Sequence, residues 1–383
     1  MTRSEPPPRP LALLAELTHA CPLRCAYCSN PLELVRRRGE LGTAVWKRVL
    51  VEAAALGVVQ VHFSGGEPLL RRDLAELVEQ SVRVGLYPYL ITSGVPSDAA
   101  RFADLHAAGL PAVQVSLQAP DAAENDALAG TACFAAKLAA VEAAKRAGMH
   151  VALNVVLHRG NVDRLPEIVA LAERCGVDEL ELAHVQYRGW AFANRAGLFP
   201  TEAQLELAIA RVAEARRRSS FPILHVLPEF TARRPNACLH GWGRRFLTVA
   251  PDGAVLPCQT ARDIAILEFP NVLECSLSEA WHASPVFERY RGTGWMSDPC
   301  RTCPLREVDL GGCRCQAFLV AGDAARTDPA CELSPVHEDF ARTIAELRAR
   351  PAAVVARHAG PRGAHSGRDG SVDPAAREAR DGA

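Results

Sequence analysis

The sequence predicts an α/β protein, a partial (β/α)6 barrel followed by a smaller cysteine-rich domain. Short β-rich runs alternate with amphipathic helical segments from Leu11 to Arg217, which is the rhythm of a parallel sheet with helical crossovers. Six such units are two short of a closed eight-fold barrel, so an open barrel fits. Near residue 222 the rhythm breaks, and from Pro235 turns and cysteines replace helices, marking a second domain. The expected division is 1–10 as a Pro-rich disordered leader, 11–222 as barrel, 223–345 as cysteine-rich domain and 346–383 as an Ala/Arg/Gly-rich disordered tail.

The strand-like runs are 11–17, 59–65, 88–93, 112–118, 151–157 and 179–185. Between them, Thr43 to Leu56 has Val45, Trp46, Val49, Leu50 and Ala53 at helical spacing, Thr43 as N-cap and Gly57 as stop. Asp73 to Val84, Ser97 to Ala108, Cys133 to Ala147, Asp163 to Cys175 and Glu202 to Arg217 repeat the pattern. In such barrels chemistry collects in the loops after the strands' C-terminal ends.

Composition narrows the function classes. The chain has 383 residues, long enough for a barrel plus a smaller domain. With 43 basic and 44 acidic residues the net charge is -1, so no long-range field favours nucleic acid or an anionic membrane. The start MTRSEPPPRP has no apolar signal core, and no run reaches the roughly eighteen apolar residues of a membrane span. A cytoplasmic protein is expected, with neither nucleic acid nor membrane as partner. Thirteen cysteines in a reducing compartment argue for metal ligation over disulfides.

The first strand empties into Cys21-x-x-x-Cys25-x-x-Cys28. Three thiolates suit a four-iron cluster with one iron left open for a small chelating ligand. A structural zinc site is the other reading, with His19 able to complete it. After the second strand, Gly65 and Gly66 allow close backbone approach to a ligand, and Glu67 offers an acceptor for an ammonium group. Ser116 and Gln118 end the fourth strand and Asn154 lies in the fifth; each can equally be an ordinary strand-end hydrogen-bonding residue. The stretch His184 to Ala191 is dense in aromatic and polar groups, fit either to line a cleft or to plug the barrel.

In the second domain, Pro251-Asp252-Gly253 turns between two β-like runs, so Cys238 and Cys258 flank a hairpin. Cys300, Cys303, Asp309, Cys313, Cys315 and Cys331 follow. Seven cysteines and one carboxylate suit two fully capped iron-sulfur clusters, or a pair of zinc ribbons.

The cysteine spacing, with aromatic Tyr27 before the last cysteine and the Gly-Gly-Glu turn one unit later, resembles the radical S-adenosylmethionine (SAM) superfamily. The cysteine order of the second domain resembles the SPASM extension that carries auxiliary clusters in peptide-modifying members. Segments TxxCPLRCxYCSNPLEL, HVQYxGWAxxNR, ACxxGWGRRFL, WMxDPC and DLGGCRCQAF resemble the PqqE family of peptide cyclases across about residues 11 to 340. That resemblance implies a SAM-binding 4Fe-4S cluster on Cys21, Cys25 and Cys28, and SAM contacts from Tyr27, Gly65, Gly66, Glu67, Ser116 and Asn154. It assigns Cys238, Cys258, Cys313 and Cys315 to a first auxiliary cluster, 2Fe-2S or 4Fe-4S. Cys300, Cys303, Asp309 and Cys331 go to a second, 4Fe-4S. The chain departs from the family at Arg188, where an aromatic is usual, and at Gln259-Thr260-Ala261, where a histidine is usual. Cys133, Cys175 and Cys275 match no ligand position and read as ordinary thiols.

The resemblance further implies an oxidoreductase of pyrroloquinoline quinone (PQQ) biosynthesis. Reductive cleavage of SAM gives a 5′-deoxyadenosyl radical, which takes a hydrogen beside the carboxylate of a glutamate in the precursor peptide PqqA. That carbon attacks a tyrosine ring, and loss of one electron and one proton restores aromaticity. The implied partners are PqqA, the peptide chaperone PqqD and a flavodoxin-type reductant. The alternatives are another SPASM peptide or sulfatase maturase, and a non-enzymatic zinc scaffold.

Overall fold

The computed structural model describes residues 8–32, 34–35, 37–96, 98–228 and 234–357. Strands β1 (Ala12–Thr18), β2 (Gln60–Gly65), β3 (Tyr87–Thr92), β4 (Ala112–Leu117), β5 (His150–Leu157) and β6 (Glu179–His184) pair in parallel, each with the next. Strand β7 (Ile223–Val226) joins β6 in parallel. At the opposite edge β8 (Phe246–Val249) pairs in parallel with β1 and antiparallel with β9 (Val255–Leu256). One nine-stranded sheet results, in the order β7-β6-β5-β4-β3-β2-β1-β8-β9.

The crossovers are helices α1 (Thr43–Leu56), α2 (Leu74–Arg83), α3 (Ala99–Ala107), α4 (Ala122–Ala129), α5 (Phe134–Arg146) and α6 (Leu165–Cys175). After β6 come the short α7 (Gly189–Ala193) and α8 (Arg195–Leu198), then α9 (Glu202–Arg218). Alternation within each strand sends one side chain set under the helices. On β4 and β5, Val113, Val115, Leu117, Val151, Leu153, Val155 and Leu157 are fully buried. The other face carries the half-buried Gln114, Ser116 and Asn154, with Ser116 directly beside Asn154 in the register. Burying each such aliphatic side chain contributes about 1.5–3 kcal/mol, so these strands hold the inner polar face rigidly in place.

Four expectations need correction. Thr43 is the first helical residue of α1, not its cap. Gly42 occupies the cap position, and the Thr43 hydroxyl donates instead to Asp73 Oδ2 at 2.6 Å. The strand after Pro222 belongs to the barrel sheet, because β7 supplies the partner that β6 lacks at its open edge. The leader is anchored near its end, where Pro8 accepts a hydrogen bond from the Trp281 indole at 3.1 Å. The tail begins later than residue 346: a helix continues from His337 to Ala349, and the residues after it return to the barrel, with Arg357 buried. Helix α4 is an element the periodicity did not reveal. Ser97, the expected start of α3, lies outside the described residues. No single described helix is long and apolar enough to cross a membrane.

Candidate cluster and cofactor site

Strand β1 ends at a turn tied by Glu40, whose Oε1 accepts from the Thr18 hydroxyl at 2.6 Å and from the His19 amide at 3.0 Å. The cysteine loop follows. Cys21, Cys25 and Cys28 are free thiols, near enough that each acts electrostatically on another. Burial pushes the Cys25 thiol up to about 12 and Cys21 to about 11. Thiolates at these positions therefore need a bound metal's charge to persist, and a cluster supplies it. His19 does not complete the set: its Nδ1 accepts from the Val35 amide at 3.0 Å, which leaves the ring proton on Nε2, 4.0 Å from Glu16. Among the described residues no three His, Cys, Asp or Glu side chains are disposed around a single metal ion.

The turn after β2 lies directly against this loop. A Cβ on Gly65 would sit 2.2 Å from the Thr18 carbonyl oxygen, and one on Gly66 would sit 2.4 Å from that of Ala20. Neither position accepts a side chain, and Gly65 also has φ 129°. Glu67 is completely buried. Its Oε1 accepts from the Leu69 amide at 3.0 Å and the Thr92 hydroxyl at 2.5 Å. Its Oε2 accepts from the Ser93 amide at 2.8 Å and from the Ser93 hydroxyl. The four acceptor directions of the carboxylate are thus filled by the chain itself. Glu67 thereby ties the glycine turn to the end of β3.

Tyr27 lies between the cysteine loop and the inner face, its hydroxyl toward Gln118 and its ring 5.8 Å from His158. Gln118 Nε2 lies 3.7 Å from Cys25 Sγ. Ser116 and Asn154 stand one strand apart on the same face.

In the second domain, the sulfurs of Cys238 and Cys315 each hydrogen-bond with those of Cys258 and Cys313. This ring of thiols comes from three places in the chain, Cys238, Cys258 and the Cys313-x-Cys315 pair. Accepting those bonds holds Cys258 and Cys313 well below the usual thiol range. Cys331 is electrostatically coupled to Cys300, Asp309 and Cys303, which puts the second predicted set in one neighbourhood. Cys133 is buried against Leu23 and Ala129, while Cys175 and Cys275 lie half-buried elsewhere.

Lys137, Asn194 and Arg357 escaped the sequence reading, and Trp190 and Ala191, within the stretch it singled out, prove to brace the cysteine loop. Lys137 is fully buried on α5, donates to the Ser116 carbonyl at 2.6 Å, and acts electrostatically on Cys25, Cys21 and Glu67. A lysine on the apolar stripe of α5 was its available signal. The Trp190 and Ala191 amides donate to the Cys28 carbonyl at 3.0 and 3.3 Å. Asn194 Nδ2 reaches the carbonyls of Ala26 and Val355, both at 2.8 Å. Arg357 donates from its amide to Arg24 O at 3.0 Å and from Nη2 to Leu23 O at 2.8 Å. No local pattern could announce the Arg357 contacts, made from more than three hundred residues away.

Comparison with known proteins agrees with this geometry. The Radical SAM superfamily profile matches residues 15–172 and the SPASM iron-sulfur cluster-binding domain matches 238–304. The chain is 50% identical over 343 residues to the PqqA peptide cyclase of Methylobacterium nodulans, covering 88% of this chain and 90% of that protein. It is 51% identical over 344 residues to the PqqA peptide cyclase of Streptomyces rochei, covering 89% and 94%. Among solved structures, Streptococcus suis SuiB bound to S-adenosylmethionine superposes with a TM-score of 0.71 at 19% identity, covering 85% of this chain and 77% of SuiB. At that identity the likeness speaks to fold.

Proposed function

The chain belongs to the PqqA peptide cyclase family of the radical SAM superfamily, and from that premise we propose how its residues divide the work of crosslinking a glutamate to a tyrosine in PqqA. The enzyme is a SAM-dependent oxidoreductase of PQQ biosynthesis that joins the two side chains by a carbon-carbon bond. SAM on a four-iron cluster, when bound, supplies the hydrogen-abstracting chemistry.

Cys21, Cys25 and Cys28 hold that cluster. Gly65 and Gly66 let the main chain approach the methionyl ammonium, and Glu67 keeps this turn in register with β3. Ser116 and Asn154, adjacent on the inner face, meet the ribose and carboxylate, and Tyr27 covers the loop from the side of Gln118. Cys238, Cys258, Cys313 and Cys315 hold a first auxiliary cluster of two or four irons. Cys300, Cys303, Asp309 and Cys331 hold a second, of four irons. Clusters held there would supply an acceptor for the electron lost when the tyrosine ring regains aromaticity, and Asp309 in place of a thiolate would shift the potential of the second. The barrel is read as 11–222 with β7 added, and the auxiliary domain as 234–349, closed by the helix His337–Ala349. PqqD presents PqqA, a flavodoxin-type protein delivers electrons, and the enzyme works in the cytoplasm.

One observation carries this reading: the barrel's cysteine loop lies against a glycine turn too close-packed to bear a side chain, while Cys238, Cys258, Cys313 and Cys315 meet in a ring of thiols in the second domain. Its test is anaerobic purification with iron and sulfide quantitation. Incubation with SAM, reductant, PqqD and PqqA follows, then mass spectrometry. The expected product is a peptide lighter by two hydrogens, formed together with 5′-deoxyadenosine. If 5′-deoxyadenosine forms while the PqqA mass is unchanged, the substrate is another peptide and the SAM chemistry stands.

A further inference from the structure

The loop after β6 touches both cysteine regions. On one side, the Trp190 and Ala191 amides donate to the Cys28 carbonyl. Gly189 has φ 51°, and a Cβ there would sit 2.1 Å from the Asn30 carbonyl oxygen, so the loop cannot retreat from or thicken against the cysteine loop. On the other side, the preceding residue, Arg188, turns its side chain to the second domain. Its Nη2 donates to Cys313 Sγ at 3.7 Å, and its Nε lies 3.7 Å from Asp263 Oδ2. The Arg188 side chain is only 10% exposed. A desolvated cation this close to a ligand sulfur acts with little screening.

We propose that Arg188 is a positioning residue for the first auxiliary cluster, setting its reduction potential from the barrel side while its own loop is pinned to Cys28. The inference deepens the functional reading and rests on Cys313 being a cluster ligand. An N–H···S hydrogen bond and a positive charge both withdraw electron density from the thiolate. They stabilise the reduced, more negative cluster and raise its potential. Asp263 opposes this, since its carboxylate acts electrostatically on both Cys258 and Cys313. The pair therefore acts on the same cluster in opposite directions. Because Arg188 and Trp190 are two residues apart, movement of the barrel loop also moves the guanidinium.

The test is a potentiometric titration of the reconstituted holoenzyme, followed by electron paramagnetic resonance, on wild type, Arg188→Met, Arg188→Lys and Asp263→Asn. Arg188→Met should lower the potential of the first auxiliary cluster, and Arg188→Lys should lower it less, because charge remains while the planar fork is lost. Asp263→Asn should raise it. The potential of the barrel cluster should stay in place in all three. A disturbance of packing alone would not drive the two sites in opposite directions. Equal potentials in wild type and Arg188→Met, with iron content intact, would overturn the proposal. Iron content that is the same in wild type and Cys313→Ala would instead overturn the ligand assignment beneath it.

Discussion

In the barrel, three cysteines share one loop from Cys21 to Cys28, whereas the thiol ring of the second domain gathers Cys238, Cys258, Cys313 and Cys315 from distant parts of the chain. The short spacing makes the barrel set easy to identify but does not make it rigid. Its shape comes from outside: Glu40, the Gly65-Gly66 turn, the Trp190 amide, Asn194 and Arg357 all bond to it or to its flanks. The ring is the reverse case. Its members come from separate segments, yet each segment is set by a fold element, with Cys313 and Cys315 together at the start of the helix Arg314–Ala321 and Cys258 just past β9. A local motif needs remote bracing, and a remote motif needs local rigidity.

The largest effect separates the two regions chemically. Cys25→Ala should abolish SAM cleavage, a loss of about a thousandfold or more, or some 4 kcal/mol of barrier, while auxiliary iron is retained. Cys313→Ala should leave 5′-deoxyadenosine formation measurable and remove the crosslinked peptide. If both variants lose SAM cleavage equally, the regions are not separable and the comparison breaks.

A smaller effect probes the bracing. Ending the chain at Arg350 deletes the bonds from Val355 and Arg357 to Asn194, Arg24 and Leu23. Each such bond contributes about 1 kcal/mol. The truncated protein should lose barrel iron faster during chelator challenge, with auxiliary iron released at the wild-type rate. Equal release from both would mean the strap stabilises the whole chain and not the loop.

The smallest effect lies at the β6–β7 edge of the sheet. His184 and His225 meet Nε2 to Nε2 at 3.2 Å between β6 and β7, and burial, with each near a further positive group, lowers His184 to about 3 and His225 to about 4. As pH falls from about 6.5 towards 4, the unfolded chain takes up protons that the folded one refuses. Stability present above pH 6.5 is therefore lost on acidification. His184→Gln should flatten the fall of Tm across that window without altering iron content. An unchanged slope would place the acid sensitivity elsewhere.

Much of the fold was legible because its signals are local. Six strands and their crossovers follow from apolar periodicity, and Gly57 ended α1 where a left-handed residue was needed. Helix α4 was missed because AAENDALA has almost no apolar stripe; Asp121 caps it, and its packing against α5 holds it. The placement of β7 was misread because a four-residue run cannot announce its partner, and only the open edge of β6 decides it. At Glu67 a sequence shows an acidic group but not its neighbours. Thr92 and Ser93, a strand away, occupy it.

By itself the sequence determined the chemistry available to this protein: the cysteine spacing, the glycine turn, the count of donors in the second domain and the family to which they belong. These depend on residue type and short separations, which covalent geometry preserves in any fold. Only the tertiary structure decided which groups face one another. Arg188 beside Cys313, Lys137 beneath the cysteine loop and Arg357 returning to Leu23 are contacts between segments far apart in the chain. Their positions are set by the burial of sheet and helices as a whole, a cooperative outcome that no local window contains.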